Sequence, residues 1–420
     1  MKIKKLLIIL VPLVILIIFL IFTENGKYFL RLAVLNYPDL NDYKKYPAST
    51  ISKADNYFSF DKGETISIET DLTYTYKDEK TTMDLISLLK DTETTSFIVI
   101  RDDKIVFEEY YRGYKRNMPH ILFSITKTFV SALIGLALEE GLINSIDEPV
   151  EHYIKEFRGK EEGRTTIRQL LTMTSGYRFN FADNIRLMYT FDIRKTAIKN
   201  IKQEETPGVH NHYNDYNYVL LGMVVEQATG MSVSEYFQKE IWQEIQAEYD
   251  ALWTMDSKKQ KGERFMSGLA VCPIDLAKFG RLYLNNGNWE GKQIIPRKWV
   301  LDSTEYDEEF RDQGDYYTKY TWKEGIPWFK KGGYYKYSWW GYSEDGINYS
   351  YTAEGYLGQV LYVSPQKNLI IVRTGNKWGD LDWWIDVVHL IAESLNILIT
   401  RSEQECSLLY KSRPQAGRHC

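Results

Sequence analysis

The chain has 420 residues, with 52 Lys and Arg against 57 Asp and Glu and a net charge of −5. Hydrophobic residues make up 44% and charged residues 26%, so the chain can bury a core and is neither disordered nor collagenous. The slightly acidic balance excludes a protein that binds nucleic acid mainly through electrostatics. Three cysteines, Cys272, Cys406 and Cys420, with no Cys-x-x-Cys pair, exclude a zinc ribbon or a thioredoxin-like centre.

The N-terminus comes first. Leu6 to Phe22 is an unbroken run of 17 apolar residues, preceded by Lys2, Lys4 and Lys5. At helical rise such a run spans about 25 Å, the short end of a membrane-crossing helix. The lysines orient it with its start inside the cell. Thr23-Glu24-Asn25-Gly26-Lys27 carries no Ala-x-Ala pattern, which favours an uncleaved anchor over a removed signal peptide. Residues 1–23 are therefore expected to be a single-pass membrane anchor, with the bulk of the chain outside the cytoplasm. Residues 24–78 are polar and Tyr-rich, broken by Pro38 and Pro47, and read as a linker with little regular structure.

Met83 to Leu89 has helical character. Phe97-Ile98-Val99-Ile100, a turn at Asp102-Asp103 and Ile105-Val106-Phe107 predict an antiparallel hairpin. From Phe123 to Leu138 the apolar residues fall at helical spacing, with Gly141 as a stop. Further helical patterns occupy 166–173, 216–229 and 274–285. Strand signals return at Tyr335 to Trp340, Tyr349 to Ala353, Gln359 to Val363 and Leu369 to Arg373, and a last amphipathic helix covers about Trp383 to Leu398. Strands at both ends of the globular region with helices between them predict an α+β fold: an antiparallel sheet flanked by helices, plus a mostly helical lobe. A cleft between the two is a natural small-molecule site. The tail 401–420 reads as mobile.

The chemistry is sparse. There is no Gly-x-Ser-x-Gly, Gly-x-x-x-x-Gly-Lys, Gly-x-Gly-x-x-Gly or His-Glu-x-x-His. His210 and His212 are spaced as a metal pair but lack an evident third ligand, so no metal and no cofactor is expected. Ser-x-x-Lys occurs at Ser59, Ser87, Ser124 and Ser364. Only Ser124 opens a long apolar helix directly after a hairpin. There, Lys127 shares a helix face with Ser124, and the helix N-terminus favours a developing oxyanion. A serine hydroxyl attacks only once a base takes its proton, and a buried lysine can be that base. Taken alone, the pair reads more simply as an N-cap serine and a surface lysine. Tyr213-Asn214-Asp215 offers a phenol to shuttle the proton. Thr352-Ala353-Glu354-Gly355-Tyr356-Leu357-Gly358-Gln359 offers glycines where backbone approaches closely, and a main-chain N–H to complete an oxyanion hole with that of Ser124.

Together with Thr166 to Gly176 and Asp275 to Gly280, these stretches resemble the serine beta-lactamase and penicillin-binding-protein superfamily. The likeness covers about residues 80–398 and is greatest to its class C-like branch of esterases, D-peptidases and 6-aminohexanoate-oligomer hydrolases. The resemblance implies a beta-lactamase/transpeptidase-like domain over residues 79–400 and a hydrolase forming an acyl-enzyme. Ser124 would be the nucleophile, Lys127 its base partner and Tyr213 the proton-transfer tyrosine. The main-chain N–H groups of Ser124 and Tyr356 would form the oxyanion hole. Two positions depart from the family pattern. Asp215 stands where the second motif usually has Asn, and Ala353 stands where the third usually has Lys or His. Asp215, Glu354 and Gly355 are the candidate substrate-binding residues, and Trp339, Trp340 and Trp378 are candidates to line the cleft. The substrate expected is a small-molecule or peptide amide or ester. A non-catalytic binding or sensor module on the same fold is the alternative.

Overall fold

The computed structural model describes residues 23–307 and 332–395, apart from residues 67, 69, 78 and 382. Its centre is an eight-stranded sheet. The strands are β1 (Asp61–Lys62), β2 (Thr94–Arg101), β3 (Lys104–Tyr110), β4 (Gly333–Lys336), β5 (Trp339–Tyr342), β6 (Ser350–Gly355), β7 (Gln359–Ser364) and β8 (Leu369–Gly375). Their order across the sheet is β4-β5-β6-β7-β8-β2-β3-β1. All neighbours are antiparallel except β1 and β3. The early hairpin and the late strands thus meet at β2–β8, as their separation at the two ends of the domain implies.

Both faces of the sheet are covered, and the pleat sorts the side chains. Ile98, Ile100, Leu361, Val363, Ile370 and Val372 join one core, while Phe97, Val99, Val360, Tyr362, Leu369 and Ile371 join another. That two-sided burial explains the unbroken apolar runs of β2 and β8. The inner face packs against α1 (Thr126–Glu139) and α3 (Pro273–Leu284), and beyond them lies a helical lobe containing α2 (Asp215–Thr229). The outer face packs against the helix Leu85–Asp91 and a last helix, α4 (residues 384–395).

Several expectations are corrected. Residues 24–78 hold regular structure: a helix at Glu24–Leu35, a strand at Ala48–Ile51, β1, and the hairpin strand Asp71–Tyr76. Ala48–Ile51 pairs with Ala251–Thr254, a partner some two hundred residues away, so no local signal announces it. That pair extends through Leu269–Val271 to His120–Ile121 as a second, four-stranded sheet inside the region expected to be helix and loop. Met83 lies in the strand Glu79–Asp84, and the helix begins at Leu85. The single strand expected at 335–340 is a hairpin. Lys336 pairs with Trp339 across a two-residue turn in which Tyr337 and Ser338 both have positive φ. That conformation normally advertises itself through Asn-Gly, which is missing here. The Asp102-Asp103 turn, by contrast, appears as expected, with both residues left-handed.

The apolar run 6–22, the end of the last helix and the tail 401–420 lie outside the described residues. Among the described residues no helix is long and apolar enough to cross a membrane.

One close approach ties the lobe to the site. Gly222 on α2 has no room for a Cβ because the Phe265 ring fills the space, which brings the Phe265–Met266 loop against the helix. Gly222→Val should therefore overpack this contact and cost about 1–3 kcal/mol. The expected readout is a lower melting temperature, and an unchanged melting temperature would show that the loop yields without cost.

Candidate active site

Ser124 sits where three elements converge. His120–Ile121 pairs with Leu269–Val271, and Leu122 N–H donates to Leu269 O at 2.8 Å. Leu269 N–H in turn donates to Thr126 Oγ1 at 3.1 Å. The chain then turns sharply at Phe123, with φ 48°, through one 3-10 turn, Phe123–Ile125, into α1. Ser124 is therefore at the head of the helix as expected, one turn before the α-helical pattern proper. A non-glycine residue held at positive φ is a strained conformation that recurs at active sites.

Lys127 is 1% exposed. Its Nζ lies 2.8 Å from Ser124 Oγ, 3.0 Å from Met266 O and 2.8 Å from Asp215 Oδ1. Asn184 Nδ2 donates to the other carboxylate oxygen of Asp215 at 3.1 Å. An ammonium has three N–H groups and here meets three acceptors. A neutral amine keeps two N–H groups, for Met266 O and Asp215, and turns its lone pair toward Ser124. Burial pushes the Lys127 pKa below the ordinary lysine value, while the charge of Asp215 and its hydrogen bond pull the other way. Desolvation is the largest of the opposed influences, so the net direction is down despite the carboxylate neighbour.

Tyr213 precedes α2. Asn214 caps that helix, accepting from Tyr216 N–H at 2.9 Å, and its Nδ2 donates to Tyr177 O at 3.0 Å. The phenol so placed interacts with the Ser124 side chain. Its ring lies 4.9 Å from Lys127 Nζ and stacks on Trp340 at 6.0 Å. Burial, then the charges of Asp215 and Glu354, raise its pKa far above the usual phenol range, against the opposing Ser124 hydrogen bond. Tyr213 thus holds its phenol proton firmly. Hydroxyl, amine and phenol share one crevice.

The end of β6 closes the site. A Cβ on Gly355 would collide with the Leu122 carbonyl, so glycine there lets the strand end abut the segment leading to Ser124. The next residue is Tyr356, whose ring meets Phe123 edge-on at 5.5 Å. Gly355 is accordingly a backbone-approach position whose space is taken by the protein itself. Glu354 has a buried carboxyl oxygen, Oε1, without a hydrogen-bond partner among the described residues. Burial raises its pKa well above the ordinary carboxylate value, against the backbone hydrogen bond from Trp384 N–H.

Other candidates separate from the site. Trp339 is core, packed against Phe279, Tyr283 and Tyr351. Trp378 belongs to the outer core, and Trp340 alone of the three borders Tyr213. His210 Nδ1 lies 3.0 Å from Glu205, and burial lowers the pKa of His212 to about 4. Among the described residues no three His, Cys, Asp or Glu groups are placed to hold a metal. Sequence reasoning missed Met266, which acts through its backbone carbonyl and so has no side-chain signal, and Asn184, one of several polar residues on the helix Phe181–Tyr189 with no motif to single it out.

The sequence model of the Beta-lactamase family matches residues 84–392. The 6-aminohexanoate-dimer hydrolase of Paenarthrobacter ureafaciens is 26% identical over 318 residues, covering 71% of this chain and 76% of that protein. Among solved structures, a candidate 6-aminohexanoate-dimer hydrolase from Bacillus anthracis superposes with a TM-score of 0.67 at 22% identity, over 90% of this chain and 95% of that one. A class C beta-lactamase gives 0.56 at 17% identity, over 74% and 94%.

The opposed influences on Lys127 give a signed expectation. Removing the Asp215 charge removes what favours the ammonium, so Asp215→Asn lowers the Lys127 pKa further. The acid limb of kcat/KM for a p-nitrophenyl ester should move to lower pH. An unmoved or raised limb would take Asp215 out of the lysine's titration.

Proposed function

This chain belongs to the beta-lactamase family and is a serine hydrolase, and from that premise we propose that it cleaves an amide or ester through an acyl-enzyme on Ser124. The observation that carries the reading is the meeting of Lys127 Nζ and the Tyr213 phenol at Ser124 Oγ. In this reading neutral Lys127 takes the Ser124 proton as Oγ attacks the carbonyl carbon. The N–H groups of Ser124 and Tyr356 receive the oxyanion. Tyr213 passes the proton to the leaving nitrogen or oxygen, and water then releases the acyl group by the reverse relay.

The substrate is proposed to be a small amide or ester without a carboxylate at the third-motif position. Ala353 supplies no cation there, and Glu354 beside it supplies none either. Asp215 favours a substrate with an N–H or ammonium group near the cleaved bond. The same Asp215–Lys127 ion pair is the observation that favours the second reading, a binding module whose lysine stays charged.

The enzyme is further proposed to be anchored by residues 6–22 with its catalytic domain outside the cytoplasm. The helix Glu24–Leu35 supports this, since it follows directly and leaves Phe29, Leu30 and Val34 exposed. An apolar outward face suits the edge of a bilayer.

Two experiments test the proposal. Purified full-length protein should take a fluorophosphonate label and hydrolyse p-nitrophenyl esters or nitroanilides, and Ser124→Ala should abolish labelling and lower the rate by at least about 10³-fold. An unlabelled wild type would favour the binding module, and equal rates would remove Ser124 from the chemistry. In cell fractions the full chain should sediment with membranes and resist a carbonate wash, whereas a chain lacking residues 1–22 should not. Full-length protein in the soluble fraction would overturn the anchor.

A further inference from the structure

Arg373, on β8, is 1% exposed and has no carboxylate partner among the described residues. A buried charge left unpaired is costly, and a neutral core residue would usually serve stability better. The guanidinium lies between the sheet and α4, its face over the Trp384 ring at 4.3 Å. All five of its N–H donors are spent on the protein. Nε donates to Thr94 Oγ1 at 3.1 Å. Nη1 donates to Leu357 O at 2.7 Å and Gly358 O at 2.6 Å. Nη2 donates to Thr92 O at 2.7 Å and Lys377 O at 3.2 Å. No donor remains for an anion, so this is not a ligand site.

Two of those five bonds fall on the turn that begins at Tyr356. The carbonyl of Tyr356 itself is held by Gln359 Nε2 at 3.1 Å, and the same amide bonds Gly375 O at 2.8 Å and accepts from Gly375 N–H at 3.1 Å. Every carbonyl of the turn, 356, 357 and 358, is thus tied down by a side chain from β7 or β8. The turn needs it. Leu357 and Gly358 are both left-handed, with φ 64° and 72°, and a leucine stays in that region only when its surroundings over-determine it. Gly358 and Gly375 lack a Cβ where one would strike the guanidinium, so the glycines make room for the clamp.

We propose that Arg373, seconded by Gln359, is a positioning residue that holds the strained turn so that the Tyr356 N–H stays aimed at the oxyanion. This rests on the acyl-enzyme reading for its catalytic consequence, but not for the clamp itself. Arg373→Lys keeps the charge and loses the fork of five donors. The test measures hydrogen exchange over residues 356–359 by mass spectrometry and the rate of fluorophosphonate labelling of Ser124. In Arg373→Lys, exchange should rise and labelling should slow, each at least ten-fold. Leu357→Gly, which relieves the left-handed strain, should restore most of the labelling in the Arg373→Lys background, whereas a merely stabilising role would leave the two changes additive. Wild-type exchange, or slowed labelling without faster exchange, or strict additivity, would overturn the proposal. If the wild type takes no label, the hydrolase reading fails and exchange alone decides the clamp. If Arg373→Lys does not fold, Gln359→Met must raise exchange over the same residues for the clamp to stand.

Discussion

A single buried amine organises this molecule. Lys127 has been taken out of water and given three acceptors: a hydroxyl, a backbone carbonyl and a carboxylate. Taking an ammonium into an interior costs several kcal/mol after relaxation, and each acceptor returns part of that. The arrangement is balanced rather than strongly paired. With no carboxylate, the proton would leave too readily for the lysine to return it later in a cycle. With the carboxylate alone and no burial, the lysine would stay charged and Ser124 would lack a base. Each acceptor arrives on a different element, so the charge state of one nitrogen depends on how α1, α2 and the 265–268 loop pack.

That dependence explains features that otherwise look incidental. Gly222 admits the Phe265 ring, and the residue after Phe265 presents its carbonyl to Lys127. Asn214 caps α2 and so fixes Tyr213 before it and Asp215 at its first turn. Across the cleft, Gly355 admits the Leu122 carbonyl, which sets the distance between the sheet edge and the turn that carries Ser124. The helical lobe thus supplies Tyr213 and Asp215 and the sheet supplies the far wall, and three contacts requiring a small residue or a cap bring them together.

Legibility in the sequence follows the range of the interaction. The α1 pattern and the β2–β3 hairpin are local and were readable from spacing and turn residues, whereas the Ser124–Lys127 spacing alone suggested a surface lysine, and only the family resemblance singled the pair out. Strands β6 to β8 were readable too, because two-sided burial writes long apolar runs. Ala48–Ile51 and Leu269–Val271 were not readable, since short strands are defined by partners far away in the chain. The Tyr337-Ser338 turn was hidden because neither residue is one that usually accepts positive φ. Of the site itself, the motif side chains were legible, whereas Asn184 and the Met266 carbonyl were not. Met266 contributes a carbonyl, and no residue type encodes that. Arg373 was passed over within an apolar strand because its burial, not its charge, is what matters.

The departures from the family pattern bear on each other. In the resembled family, a neutral Asn in the second motif accompanies a cation in the third. Here a carboxylate, Asp215, accompanies an alanine, Ala353. Both changes move the crevice in the same electrical direction, one by adding a negative group and the other by omitting a positive one. Burial opposes ionisation of Glu354, raising its pKa well above the ordinary carboxylate value. A neutral acid can donate a hydrogen bond as well as accept one. It therefore leaves beside the phenol a polar group that neither repels an amide nor neutralises a carboxylate. The site brings Ser124, Lys127 and Tyr213 together while lacking a cation at Ala353.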